Sequence, residues 1–178
     1  MKKQLLFIAA GFLASATTLA NNKHVHGEGR LEVIIEKNSV SLRLELPLEV
    51  AVGFERAPKT DKEKSALSAS DKALKDGLAL WQFTSAAQCT LQSAQVETPF
   101  LAPSSETKAS ASGKKEPENH ADIEASYVFH CAKPAALKGL ETTLFRSFKR
   151  LYRLEAQRIG PNGQGAGRLT AKQPMLAW

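Results

Sequence analysis

The chain has 178 residues, of which 43% are hydrophobic and 24% charged, and this composition excludes a disordered or fibrous protein and allows a real buried core. Its formal net charge is +6, with 24 Lys and Arg against 18 Asp and Glu. The basic excess gathers near the C-terminus (Lys138, Arg146, Lys149, Arg150, Arg153, Arg158, Arg168 and Lys172) without the interleaved aromatics of a stacking platform, which argues against a nucleic-acid binder.

Met1-Lys2-Lys3, the apolar run from Leu5 to Leu13 and the small residues through Thr18 and Ala20 form a signal peptide, with cleavage expected near Ala20. The run is shorter than the roughly 20 apolar residues a membrane span needs. Residues 1–20 are therefore assigned to the signal and residues 21–178 to a single β-rich domain, free in the periplasm. Cys89 and Cys131 permit one disulfide in an oxidising compartment. The alternative, two thiolate metal ligands beside His130, lacks the C-x-x-C spacing of zinc knuckles.

Leu31, Val33 and Ile35 alternate with Glu32, Ile34 and Glu36, and Leu42, Leu44 and Leu46 with Ser41, Arg43 and Glu45, which predicts two half-buried strands. Lys37-Asn38-Ser39 joins them as a tight hairpin, Asn being tolerant of left-handed backbone. Pro47 should end the second strand or place it at an edge. A helix is predicted from Thr60 to about Trp81, with Thr60 and Glu63 as a capping box and Leu67, Leu74, Leu78 and Trp81 on one face. Residues 88–96 read as a third strand, and residues 97–119 as a flexible loop rich in Ser, Lys, Glu and Pro. In the next strand Ile123, Ala125, Tyr127, Phe129 and Cys131 share one face, while His120, Asp122, Glu124, Ser126, Val128 and His130 share the other. Further strands are expected at 139–148, 151–159 and 166–172, with Asn162-Gly163 turning the chain between the last two. A shift of 94 residues lays His26 on His120, Glu28 on Asp122 and Phe54 on Phe148, suggesting two repeated hairpin halves. The fold class is thus mainly β (α+β): an antiparallel β-sandwich-like domain with one amphipathic helix inserted.

The chemistry centres on four histidines, His24, His26, His120 and His130. On an extended chain His24, His26 and Glu28 would point to one side, and His120 with Asp122 repeats the arrangement. Imidazole with carboxylate suits a tetrahedral zinc ion. No nucleophile elbow, H-E-x-x-H, phosphate loop or dinucleotide fingerprint occurs, so no enzyme is expected.

His24-Val25-His26-Gly27, Leu31-Glu32-Val33, Val52-Gly53-Phe54-Glu55-Arg56-Ala57-Pro58, His120-Ala121-Asp122-Ile123 and Tyr127-Val128-Phe129-His130-Cys131 resemble the ZrgA family of zinc-regulated periplasmic proteins, over nearly the whole mature chain. The resemblance implies a β-rich fold and a role in zinc uptake beside an envelope transporter. It favours His26 and His120 as zinc ligands, with His24 and Asp122 next, for one zinc ion per chain. Family members often carry a histidine-rich insertion where this chain has residues 97–119, which hold no histidine, so harvesting of several ions is not implied. Two other readings remain. One is a metal-free envelope module that binds a partner through the basic C-terminal face. The other is a metal-dependent hydrolase using Glu55 or Glu28 as base.

Overall fold

The computed structural model describes residues 25–101 and 121–178. The signal peptide, His24, His120 and most of the expected loop lie outside the described residues. The chain runs β1 (Glu28–Glu36), β2 (Ser39–Pro47), α1 (Leu48–Val52), α2 (Asp61–Lys75), α3 (Gly77–Leu80), β3 (Trp81–Phe83) and β4 (Cys89–Glu97). It continues with β5 (Asp122–Cys131), β6 (Gly139–Thr142), α4 (Leu144–Ser147), β7 (Arg153–Gly160), β8 (Gly163–Leu169) and β9 (Met175–Ala177).

Six strands form one sheet in the order β4-β5-β2-β1-β7-β8, and β3-β6-β9 form a second. The expected β-sandwich-like architecture is realised, with antiparallel pairing everywhere except between β1 and β7, which run parallel. Leu42, Leu44 and Leu46 of β2 and Ile123, Tyr127 and Phe129 of β5 are buried in the core, as their alternation requires. Each fully buried side chain of this size stabilises the fold by about 1.5–3 kcal/mol. Two aromatic pairs cross between the sheets, Trp81 edge-on to Tyr127 at 5.7 Å and Phe83 to Phe129 at 4.8 Å between centroids.

The hairpin joins β1 to β2 as expected, but the left-handed residue is Lys37, with φ 52°, not Asn38. Asn38 instead contacts the next strand. Its amide lies 2.7 Å from His130 Nε2, and its carbonyl accepts from Cys131 N–H at 2.7 Å. Pro47 is the last residue of β2, which is a central strand and not an edge. Cys89 and Cys131 are cross-strand partners in the β4–β5 ladder and form the disulfide.

Other expectations change, among them the strand expected at 166–172, which runs Gly163–Leu169. The long helix stops at Lys75 and α3 restarts at Gly77, leaving Leu78 58% exposed and not on the buried face. Asp76 turns the chain at the break, its side chain accepting from Ala79 N–H at 3.2 Å, and Tyr127 packs there, its hydroxyl donating to Leu74 O at 2.7 Å and its ring 2.8 Å from where a Cβ at residue 77 would lie. The strand expected at 139–148 ends at Thr142 and gives way to α4. Lastly, the repeated second hairpin does not form. β5 pairs with β4 and β2, while β6 joins β3 and β9 in the other sheet. Of the expected loop, Glu97 still belongs to β4, and Thr98 donates to Asp71 Oδ1 at 2.9 Å.

The capping box is formed as expected. Thr60 Oγ1 accepts from Glu63 N–H at 3.2 Å, and Glu63 Oε2 accepts from Thr60 N–H at 3.2 Å. Arg56 donates two bonds to the same carboxylate, which holds the Glu63 pKa down at about 2. A depressed carboxylate stabilises the fold above its unfolded value of 4.5, and this contribution is lost as pH falls through 2. Glu63→Gln should therefore flatten the acid limb of the melting temperature between those values. An unchanged limb in calorimetric scans would remove Glu63 from the acid transition.

Candidate metal centre

Strand pairing brings three chain segments to one end of the larger sheet. β1 begins there, β2 ends there against Asp122, and β5 begins there. Immediately before β1, Val25–Glu28 is a tight turn closed by Glu28 N–H on Val25 O at 3.0 Å. Gly27 takes φ 78° in this turn, and the Tyr152 ring lies where its Cβ would be. Residue 27 must therefore be glycine on two counts, backbone hand and space. Tyr152 N–H also donates to Gly27 O at 3.0 Å, so the turn that carries His26 is fastened to the segment entering β7.

After Pro47 the chain coils into α1, whose first residue donates from Leu48 N–H to Ala121 O at 2.9 Å. Glu49 projects from its first turn. Gly53, at φ 89°, ends the helix with its N–H on Glu49 O, and lets the chain reverse so that Glu55 returns toward Glu49. A Cβ at Gly53 would lie 2.8 Å from the Arg150 guanidinium, which places a cation beside this acidic corner.

His26, Glu49 and Glu55 converge here. His26 Nδ1 lies 2.5 Å from Glu49 Oε2 and 3.9 Å from Glu55 Oε1, and one donor atom from each residue lies within 4.8 Å of the others. The His26 side chain is 75% exposed and the two glutamates about a quarter, so the group opens to solvent. The bond to Glu49, then its charge and that of Glu55, raise the His26 pKa above 6.5. Ligands on a tetrahedral zinc ion stand roughly 3.3 Å apart, given zinc–nitrogen and zinc–oxygen bonds near 2 Å. The three donors fit such an ion after small side-chain rotations, with the imidazole–carboxylate bond exchanged for two metal bonds.

The sequence-based candidates divide as follows. His26 lies in this group. His24 and His120 lie outside the described residues. Asp122 is at the same end of the sheet but outside the group, and lines a cavity of about 160 Å³ with Glu28, Glu45 and Glu155. Glu28 does not share a side with His26, because the chain there is a turn and not an extended strand. It accepts from Tyr152 Oη at 2.9 Å and from Arg153, which together lower its pKa. His130 lies on the exposed face of β5 against Asn38. The sequence reading missed Glu49 altogether and had Glu55 only as a base. The signal available was Val52-Gly53-Phe54-Glu55, where a glycine reverses the chain between two acids.

A family model described as ZrgA family zinc uptake protein matches residues 23–178. The chain belongs to the ZrgA family. No curated protein matches it significantly. The ZrgA match spans every described strand and both segments that build the triad, and it ties the chain to zinc uptake. Among the described residues, no helix of this ZrgA protein is long and apolar enough to cross a membrane.

Proposed function

We propose that this ZrgA protein is a periplasmic carrier that binds one zinc ion through His26, Glu49 and Glu55 and passes it to an uptake system in the envelope. The observation that carries the reading is the convergence of one imidazole nitrogen and two carboxylate oxygens within 4.8 Å at an open corner of the sheet. This donor set suits zinc, and three protein ligands leave a position for exchange. His24 and His120, both outside the described residues, are the sequence's other candidate ligands. His24 adjoins Val25, and His120 is bonded to Ala121, whose carbonyl holds the first residue of α1.

Carriage is preferred to catalysis. Glu28, one of the two candidate bases, is committed to Arg153 and Tyr152, and Glu55 is itself a ligand. The metal-free alternative is weakened because two cations of the basic face are already paired, Arg153 with Glu28 and Glu155, and Arg168 with Glu155.

Calorimetry should find one zinc ion per chain at pH 7.5, with affinity falling about tenfold per pH unit once protons compete for His26. The metal-free protein should respond with the opposite sign. A raised histidine pKa stabilises the fold below 6.5, and that contribution is lost as pH rises through the folded value. Zinc should thus raise the melting temperature more at pH 8 than at pH 6. No heat of binding at pH 7.5 would end the proposal.

A further inference from the structure

β7 carries a cation on its core face. Leu154, Ala156 and Arg158 point inward in turn, and Arg158 is only 9% exposed. Its Nη1 donates to Gly163 O at 3.2 Å, and its guanidinium lies over the Trp178 ring, 5.8 Å from the centroid. Gly165, its partner on β8, makes the room, since a Cβ there would lie 3.2 Å from Nη2. Among the described residues no acidic side chain pairs with Arg158. A guanidinium has five N–H donors in a planar fork, and this one is withdrawn from water without a counter-charge.

The fork borders a cavity of about 220 Å³. Lys37, in the β1–β2 turn, supplies a second cation at its rim, while Trp178, Ile35, Leu137 and Pro161 supply apolar wall. Lys37 follows the end of β1 and Pro161 follows the end of β7, so the cavity lies at the opposite end of the sheet from His26. At about 3.3 Å per residue, the nine residues of β1 separate the two by roughly 30 Å.

We propose that this cavity binds a small organic carboxylate, with the carboxylate on Arg158 and Lys37 and a compact apolar body against Trp178. Planar guanidinium matches a carboxylate with two parallel hydrogen bonds, and burial strengthens each of them. The volume is below the 300–1,000 Å³ of drug-sized pockets, so the ligand must be small. The apolar wall favours a ring or short alkyl body over a bare inorganic anion.

The chain has two tryptophans. Trp81 is buried in the core and Trp178 lines the cavity, so fluorescence reports on the site. Titration of the full chain with benzoate should give a saturable change of emission in the millimolar range. Arg158→Gln should weaken it at least tenfold. Lys37→Asn, which removes the charge and keeps a residue tolerant of left-handed backbone, should weaken it severalfold with zinc binding intact. Inorganic phosphate should bind more weakly than benzoate. The proposal is overturned by the lack of saturable binding, by phosphate binding as tightly as benzoate, or by wild-type affinity in Arg158→Gln. Should circular dichroism find that variant unfolded, wild-type affinity in Lys37→Asn overturns it equally.

Discussion

Glu49→Ala should weaken zinc binding by roughly 100-fold or more, and His26→Ala should do the same. Even groups that only orient metal ligands cost about 10–100-fold when removed, and a ligand itself costs more. Both variants should stay folded. His26 is an exposed turn residue, and surface substitutions of this kind shift stability by about 0.5 kcal/mol or less. Glu49→Gln separates charge from packing, since it keeps the side-chain length and loses the anionic donor. Competition calorimetry on the three variants with a chelator of known affinity is the measurement. Wild-type affinity in Glu49→Ala would move the ion away from α1 and leave His24 and His120 as its holders.

Reducing the Cys89–Cys131 bond should produce a stability loss of several kcal/mol. The two residues are 42 apart in sequence, and closing a loop of that length restricts the unfolded chain by about 4 kcal/mol. Domains of this size are stable by only about 5–15 kcal/mol, so the reduced protein sits near the margin. With a urea slope of about 1–3 kcal/mol per molar, the midpoint should fall by roughly 2 M in Cys89→Ala/Cys131→Ala. A fall below about 0.3 M would mean that the unfolded chain is already constrained by other means. Zinc binding by the double variant, measured well below its midpoint, should survive. The disulfide closes the β4–β5 ladder at the end where β5 finishes, whereas the triad adjoins the end where β5 begins.

The hairpin and β5 were legible because one face of each is buried and the other wet, which period-two alternation records directly. The start of α2 was legible because Thr60 and Glu63 satisfy each other locally. Its end was not, because Leu78 keeps the helical spacing past the Asp76-Gly77 break, where Tyr127 of β5, 53 positions from Leu74, takes the Leu74 carbonyl. The repeat failed for a related reason. An offset of 94 does align β1 with β5 and α1 with α4, but which strands pair is decided by tertiary contacts, and β6 finds its partners in the second sheet. At the site, His26 stood out because histidines are scarce. Glu49 did not, since it is one of 18 acidic residues and only the left-handed Gly53 brings Glu55 back toward it.

The parallel pairing of β1 with β7 sets an order on assembly. Glu28 must meet Arg153, and Gly27 must meet Tyr152, before the turn carrying His26 is fixed. In a chain emerging from its N-terminus, the contacts that fasten the proposed ion-binding corner to β7 wait until more than four-fifths of it has been released. Contacts spanning so much sequence also fold slowly. If the proposed site holds zinc, a fragment ending before Arg153 should bind the metal more weakly than the full chain although it contains His26, Glu49 and Glu55.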